Sequence, residues 1–195
     1  MPGKKEPHRV LVVSKIGKMT ELLNEILPKE QYRPIVSVST IGEAKRLLIG
    51  TYYDSIVINT PLEDDFGIQA AIDIANQHNS GILLLVKNEI YEQVSYKVED
   101  CGIITLPKPT TRQIVYSAIK MLSAMQTKIY MMERETLNLK SKMDEIRIVN
   151  KAKWILVEQL KMSEPEAHRY IEKQAMDRCV KRREIAENIM RTYEH

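Results

Sequence analysis

The sequence predicts an α/β domain built on a doubly wound parallel sheet, followed by an all-α region. Up to about Leu106, apolar runs of strand length alternate with helical patterns. A long segment without Gly or Pro follows, and it carries a heptad repeat. Apolar strands that lack strict alternation are typical of a sheet covered by helices on both faces. Five such βα units form an open, doubly wound sheet.

The elements of the first domain follow from these runs. Thr40 and Glu43 form a capping-box pair that predicts the start of the second helix. The predicted strands are Val10–Val13, Pro34–Val38, Ile56–Ile58, Ile82–Val86 and Ile103–Leu106. The predicted helices are Met19–Leu27, Ile41–Ile49, Ile68–His78 and Ile90–Glu99. The working surface of such a sheet lies beyond the carboxyl ends of its strands, where we expect Ser14, Lys15, Asn59, Val86 and Lys108.

Composition limits the class of protein. The 195 residues are 44% hydrophobic and 28% charged, which suits one ordinary domain and a small second one. The apolar runs are too short for a membrane span, and the first residues lack the apolar stretch of a secretory signal. Two distant cysteines favour a reducing, cytoplasmic location. The four histidines have no ligand spacing and no nucleotide-binding glycine motif is present, so we expect no metal or cofactor.

Charge is distributed unevenly although the net charge is only +3. Residues 1–110 hold 12 basic and 14 acidic residues, whereas residues 147–195 hold 11 basic and 8 acidic ones. The C-terminal segment is therefore the basic end. This asymmetry is mild and does not by itself indicate nucleic-acid binding.

The segment from Thr110 to about Asn150 predicts a two-stranded parallel coiled coil that makes the protein a homodimer. Apolar positions recur in steps of four and three, which is a heptad repeat. Thr136 and Asn150 at a positions weaken the seam but help to fix its register. The alternative is one amphipathic helix packed on the first domain, which would need a surface roughly 40 Å long or more. The seam residues predicted are Leu122, Met125, Ile129, Met132, Leu139, Met143 and Ile146, with Ala118 at the preceding d position.

The last segment predicts a compact three-helix unit. Ser163 and Glu166 form a second capping box, with Pro165 in the first turn. No Gly or Pro marks the break between the last two helices. A unit this small gains stability from dimerisation. The second helix is expected to present Ala167, Tyr170, Ile171, Ala175 and Met176, and the third Val180, Ile185, Ala186, Ile189 and Met190.

Residues 8–120 resemble the receiver domain of bacterial response regulators. The matching features are the strand spacing, Pro61 and Gly67 after the third strand, and Lys108 with the following proline. In that family, an acidic pair stands at the positions of Ser14 and Lys15, a phosphoacceptor aspartate at that of Asn59 and a hydroxyl residue at that of Val86. Of the family's functional residues, this chain keeps only Lys108. We therefore expect a degenerate pseudo-receiver that is not phosphorylated. Alternatively, Asp64 or Asp65 takes over as acceptor.

Residues 135–195 resemble the ANTAR domain, the RNA-binding module of transcription antitermination regulators. The matching marks, in order, are Ala152-Lys153 before Leu156, residues 163–167, Ala175-Met176 and Ala186. The resemblance implies binding to paired stem-loops in nascent leader mRNA, so that a terminator hairpin cannot form. The small alanines let helices or RNA backbone approach closely.

RNA stem-loops are recognised through phosphates and through loop bases that stack on aromatic or arginine planes. We expect Trp154 to be buried among its apolar neighbours, with a stacking face as the alternative; Tyr170 could also offer one. The run from Lys181 to Arg183 could instead be a solvated helix end. The predicted RNA-binding residues are Lys151, Lys153, His168, Arg169, Lys173, Arg178, Lys181, Arg182 and Arg183.

The sequence thus predicts a dimeric RNA-binding antiterminator in three parts. Residues 1–110 form the pseudo-receiver, residues 111–146 the coiled coil and residues 147–195 the ANTAR unit. A sensor or regulatory protein is expected to dock on the pseudo-receiver. The alternatives are a DNA-binding regulator, since three-helix units also read major grooves, and an interaction protein that sequesters a sensor. An enzyme is the least expected class.

Overall fold

The computed structural model describes residues 7–15 and 17–193. Its sheet is formed by β1 (His8–Ser14), β2 (Tyr32–Val38), β3 (Ser55–Asn59), β4 (Gly81–Lys87) and β5 (Ile103–Lys108). The helices are α1 (Lys18–Ile26), α2 (Ile41–Gly50), α3 (Ile68–Gln77), α4 (Tyr91–Val98), α5 (Arg112–Leu160), α6 (Glu164–Asp177) and α7 (Arg182–Tyr193). The predicted α/β fold followed by helices is confirmed.

The five strands are parallel and lie in the order β2-β1-β3-β4-β5. Helices α2, α3 and α4 cover one face of the sheet, and α1 with the first turns of α5 covers the other. The central strands are therefore buried on both sides, which explains their continuous apolar runs. The chain reverses its winding direction between β1 and β3, where Ser14 lies opposite Asn59 at the strand ends. This switch point is where such sheets place their functional surface.

The structure divides into two compact units, with the division between Tyr130 and Met131 inside α5. The beginning of α5 belongs to the core of the first unit, since Ala118 and Leu122 are 8% and 2% exposed. A Cβ atom on Gly81 would lie 3.0 Å from Leu122 Cδ2, so the helix packs closely on the start of β4. This corrects the predicted seam, because Leu122 is already buried by its own chain. An exposed seam can begin only at Met125.

The middle of α5 is exposed on all sides in the described part of the chain. Every residue from 131 to 144 is exposed, including apolar side chains on the predicted seam. Met132, Leu139 and Met143 expose 56%, 55% and 69% of their surface. An isolated helical segment is only marginally stable in water. The bare apolar face therefore needs an explanation outside the single chain, and the predicted dimer seam stays a prediction.

The C-terminal part of α5 packs with α6 and α7 around one small core. The four alanines noted in the sequence lie inside it, so they serve contacts between helices. Two expected core residues of α6 are instead exposed, since Tyr170 shows 38% of its surface and Met176 shows 77%. None of the described helices has an apolar stretch long enough to cross a membrane. The core consists of Ala152, Leu156, Ala167, Ile171, Ala175, Ile185, Ala186 and Ile189.

The ends of these helices differ in how clearly the sequence marks them. At the start of α6 the carboxylate of Glu166 accepts hydrogen bonds from the Ser163 amide, over 2.8 Å, and from its hydroxyl, over 2.7 Å. The predicted capping box is confirmed. The ends of α5 and α6 are marked by left-handed residues that are not glycine, Lys161 and Cys179, both with φ of 53°. This is why no glycine indicated the break before α7.

Candidate functional site

The carboxyl ends of three neighbouring strands are linked by side-chain hydrogen bonds. The Asn59 amide donates from Nδ2 to Ser14 Oγ over 3.0 Å. Lys108 Nζ donates to Asn59 Oδ1 over 2.9 Å and also to the Thr60 carbonyl oxygen. Ser14 is 4% exposed. The structure thus brings together three of the five residues predicted for the rim, in one bonded cluster.

The other two predicted rim residues lie elsewhere. Val86 is fully buried in the core beneath the helices, so it presents no side chain to the rim. Lys15 follows β1 and is exposed. A side chain at the position of Val86 therefore contributes packing rather than chemistry.

The charge at this rim comes from lysine. Burial lowers the pKa of Lys108 below its ordinary value, and the positive charge of Lys87 lowers it further. A divalent cation needs several oxygen ligands, most of them carboxylates. Among the described residues, no group of three His, Cys, Asp or Glu side chains is clustered for a metal ion. The cluster around Asn59 is thus suited to hydrogen bonding rather than to holding a cation.

The acidic loop after β3 has a structural use. The Asp64 carboxylate accepts hydrogen bonds from the backbone amides of Ile41 and Gly42, each over 3.1 Å, at the start of α2. Asp65 accepts one from the Gly67 amide over 2.6 Å. Desolvation raises the pKa of Asp64, but the amide hydrogen bonds outweigh it and hold that pKa below its usual value. Both aspartates therefore stabilise helix starts and turns, a role that the sequence reading did not foresee.

Several basic residues predicted to bind RNA are already paired within the C-terminal unit. Arg182 lies 3.4 Å from Glu172 of α6 and 3.9 Å from Glu145 of α5, so it ties the start of α7 to both other helices. His168 lies 3.3 Å from the same Glu172. Salt bridges of this kind contribute about 0–1 kcal/mol each. Arg182 therefore acts first as a structural tie.

Two further predicted RNA contacts are paired as well. Arg183 bonds Glu187 one turn later, over 2.8 Å, and this bond raises the pKa of the guanidinium. Lys153 is largely covered and donates to Glu164 over 2.9 Å, which lowers the pKa of that carboxyl. An ion pair of this type must be exchanged before the cation can contact a phosphate.

Other basic side chains remain available at the surface. Lys173, Arg178 and Lys181 are exposed. Within the described part of the chain they form no salt bridge or side-chain hydrogen bond. Arg169 is exposed too and lies near Glu166. Lys151 is exposed and takes part in a further interaction. The predicted basic set is therefore split between structural ties and free cations, and Lys173, Arg178 and Lys181 are the best placed for phosphate contacts.

Trp154 is not buried, contrary to the sequence interpretation. It exposes 67% of its surface, whereas Ala152 and Leu156 beside it are 0% and 1% exposed. Residues two apart on a helix point to opposite sides, so the side chain of Trp154 faces away from the core that Ala152 and Leu156 enter. It lines a cleft of about 370 Å³ with Asn150, Lys153, Val157 and Glu164.

Comparison with known protein families matches residues 137–190 to the ANTAR domain. The C-terminal helices match an ANTAR domain. The match begins in α5 and ends in α7, so it covers the C-terminal helical unit and confirms the resemblance predicted for that segment. The Lys153, Ser163 and Ala167 marks that indicated this family lie within the matched residues.

A curated relative is similar to nearly the whole chain. Transcriptional regulatory protein PdtaR of Mycobacterium tuberculosis is 26% identical over 187 residues, which are 95% of this chain and 91% of PdtaR. The printed name of this relative describes a transcriptional regulatory protein, and its similarity extends over both the sheet and the C-terminal helices.

Solved structures resemble the first unit in fold. A signal receiver domain of an HD domain-containing protein from Pseudomonas fluorescens has a TM-score of 0.58 and 20% identity, covering 69% of this chain and 97% of that one. A structure described as adenylate cyclase from Rhodopirellula baltica also has a TM-score of 0.58, with 18% identity over 68% and 98% of the two chains. At this identity the likeness concerns the fold alone.

Proposed function

We propose that this protein is a dimeric RNA-binding transcription antitermination regulator. In this proposal the ANTAR unit binds stem-loops in nascent leader mRNA and prevents formation of a terminator. The observation that carries the proposal is the ANTAR match on a unit whose surface holds unpaired cations, Lys173, Arg178 and Lys181. Phosphate contacts of this kind supply most of the affinity of a protein for nucleic acid. Acting on nascent transcripts implies a cytoplasmic protein.

Dimerisation is supported by the exposed middle of α5. Residues 131–144 are all exposed, and an apolar stripe from Met125 to Ile146 runs along one side of the helix. A second copy of the same helix would bury that stripe and support the segment. The seam proposed here is Met125, Ile129, Met132, Leu139, Met143 and Ile146, without Leu122.

The charges beside this stripe favour a parallel, in-register pair. In a parallel dimer each g residue faces the e residue five positions later on the partner. Lys128 then meets the partner's Glu133, and Glu135 meets the partner's Lys140. Each attractive contact occurs twice by symmetry. One repulsive contact remains, between Lys142 and the partner's Arg147.

The first unit is proposed to act as a pseudo-receiver, controlled by a protein partner or by oligomerisation and not by aspartyl phosphate. Support comes from the rim, where Asn59 bonds both Ser14 and Lys108 and offers an amide in place of a carboxylate nucleophile. Asp64 and Asp65 are engaged as helix and turn caps.

A direct binding comparison tests the proposal. The full chain is titrated against an RNA with two tandem stem-loops from a leader that precedes neighbouring genes, and against duplex promoter DNA of the same length. We expect a shifted complex with the RNA and much weaker binding to the DNA at equal salt. Tight binding to the duplex alone would favour a DNA-binding regulator. Binding to neither would favour a module that only sequesters proteins.

A further inference from the structure

The exposed Trp154 lies on the same face of α5 as the apolar stripe. At 100° per residue, Met143, Asn150, Trp154 and Val157 lie within about 60° of one another around the helix. This face is opposite the one that Ala152 and Leu156 bury against α6 and α7. The stripe therefore continues past Ile146 into the ANTAR unit, where a large aromatic side chain is left in the open.

The heptad assignment gives these residues defined positions. Met143, Asn150 and Val157 occupy successive a positions, and Trp154 occupies the e position between the last two. In a parallel pair, position e faces the partner's preceding g position, which is Val149. Val149 is half-buried beside the three-helix core. Along the helix, an apolar contact would thus follow two attractive ionic contacts and the repulsive contact of Lys142 with the partner's Arg147.

We propose that the dimer interface extends through the ANTAR unit, with Trp154 packed on the partner's Val149 and Asn150 facing the partner's Asn150. The occupant of the exposed face is a second copy of this chain. The inference rests on the proposed dimerisation and adds to it an interface within the RNA-binding unit. Through this interface the two copies of that unit are held at a fixed spacing.

The cleft around Trp154 favours a protein occupant over a nucleobase. Its cation, Lys153, is neutralised by Glu164 at 2.9 Å. Its remaining members are one amide, Asn150, and the apolar Val157. A site for RNA needs positive charge for the phosphates on either side of a stacked base. The cleft has no positive charge that is not already paired. Asn150, by contrast, is a polar residue at an a position beside apolar neighbours, and such a residue fixes the register of a coiled coil.

The ionic pattern supplies a second, independent argument for the occupant. The pairs Lys128 with the partner's Glu133 and Glu135 with the partner's Lys140 are the g–e contacts of two parallel helices in register. That register is the one that brings Trp154 to the partner's Val149. The charges and the aromatic side chain therefore select the same arrangement of two copies.

Trp154 is the only tryptophan of the chain, so its fluorescence reports this face alone. The experiment measures acrylamide quenching of the full chain without RNA, beside its sedimentation. Leu139→Glu, which places a charge in the seam, serves as the monomeric reference, with helix content checked by circular dichroism. We expect quenching of the wild-type dimer to be several-fold weaker than that of the variant, and to rise as the wild type is diluted into monomers. Trp154→Ala should raise the dimer dissociation constant by roughly tenfold or more.

The outcomes separate this inference from the proposed dimerisation. A wild-type dimer whose Trp154 is quenched as strongly as in Leu139→Glu would overturn the inference and leave the dimer standing. If the wild type sediments as a monomer at all concentrations, the proposed dimerisation itself is wrong, and this inference is wrong with it. Protection that appears only after stem-loop RNA is added would make Trp154 a base-stacking residue and would also overturn the inference.

Discussion

Lys108 Nζ and Asn59 Oδ1 lie 2.9 Å apart, and this hydrogen bond joins the carboxyl ends of β5 and β3. The same amide donates to Ser14 Oγ at the end of β1. An amide can accept at one atom and donate at the other, whereas an ionised carboxylate only accepts. Asn59 therefore acts as a connector between strand ends, at the position where the receiver resemblance implies a nucleophile.

The first prediction is that the chain is not phosphorylated by acetyl phosphate, with or without Mg²⁺. Asn59 is no nucleophile, Ser14 and Lys15 offer no carboxylates for the metal ion, and Val86 is buried. Intact mass measured after incubation should be unchanged. An added phosphoryl group that disappears in Asp64→Ala would show that the loop aspartate has taken over as acceptor.

The second prediction concerns the Asp64 cap on α2. Its pKa is lowered in the folded chain, so its stabilising effect is present above the unfolded-state pKa and is lost as pH falls through the folded-state pKa. Asp64→Ala should lower the free energy of unfolding by about 0.5–1 kcal/mol at pH 7, the low end for a cap because the carboxylate is exposed. The loss should shrink in acid.

Denaturant titrations at neutral and acidic pH measure this dependence. Glu63→Ala, in the same loop, is the matched control and should leave stability nearly unchanged at both pH values. An equal loss for Asp64→Ala at both pH values would contradict an ionic cap.

Local patterns predicted much of the fold because their physics is local. The capping residues Ser163 and Glu166 bond within one turn, so their spacing alone indicates where α6 begins. Apolar runs likewise indicated the strands, since burial on both faces needs no polar alternation. Cys179 ends α6 without glycine, and no neighbouring residue marks it. The left-handed conformation of Cys179 is therefore seen only in the structure.

The candidate sites were harder to predict because they depend on which face of each helix is buried by the rest of the fold. Trp154 stands among apolar residues in sequence, yet the helical period turns it away from the core of Ala152 and Leu156. Leu122 fits the heptad repeat but is used by the core of its own chain. The pairs of Arg182 with Glu172 and Glu145 join three helices, so they appear only in three dimensions.

The third prediction uses two identical substitutions with opposite effects on the dimer. Lys140→Glu replaces an attraction to the partner's Glu135 by a repulsion, whereas Lys142→Glu replaces a repulsion from the partner's Arg147 by an attraction. Each change occurs twice per dimer. We expect the first to weaken and the second to strengthen association by roughly 1 kcal/mol, about fivefold in dissociation constant.

Sedimentation at low salt measures both variants, because exposed ion pairs are screened at high salt. The two substitutions lie two residues apart on an exposed part of α5, so their effect on helix propensity is shared. Changes of the same sign in both variants would contradict the parallel register.

The fourth prediction concerns the unpaired cations of the ANTAR unit. Changing Lys173, Arg178 and Lys181 together to Ala should weaken RNA binding and flatten its dependence on salt. Each lost phosphate contact reduces the slope of log affinity against log salt by roughly 0.7–0.9. Arg182 is left unchanged because it ties α7 to α5 and α6, so its loss would change the stability of the unit as well as its charge.

The control removes charge from the first unit. Lys15→Ala with Lys18→Ala should alter neither affinity nor slope, since the receiver-like half is net acidic and is proposed to face a protein. Binding titrations at several salt concentrations give both slopes. Equal slopes for the wild type and the ANTAR triple variant would mean that these cations are a solvated surface.

The most direct test of antitermination is transcription of a leader with two tandem stem-loops beside a terminator, in a purified reaction. Adding the full chain should raise the fraction of transcripts that read through the terminator. The Lys173, Arg178 and Lys181 triple variant should raise it much less, while the Lys15 and Lys18 control should match the wild type. Disrupting the stem-loops should abolish the effect. Read-through that stays the same with and without the protein, on a leader that the protein binds, would contradict the account.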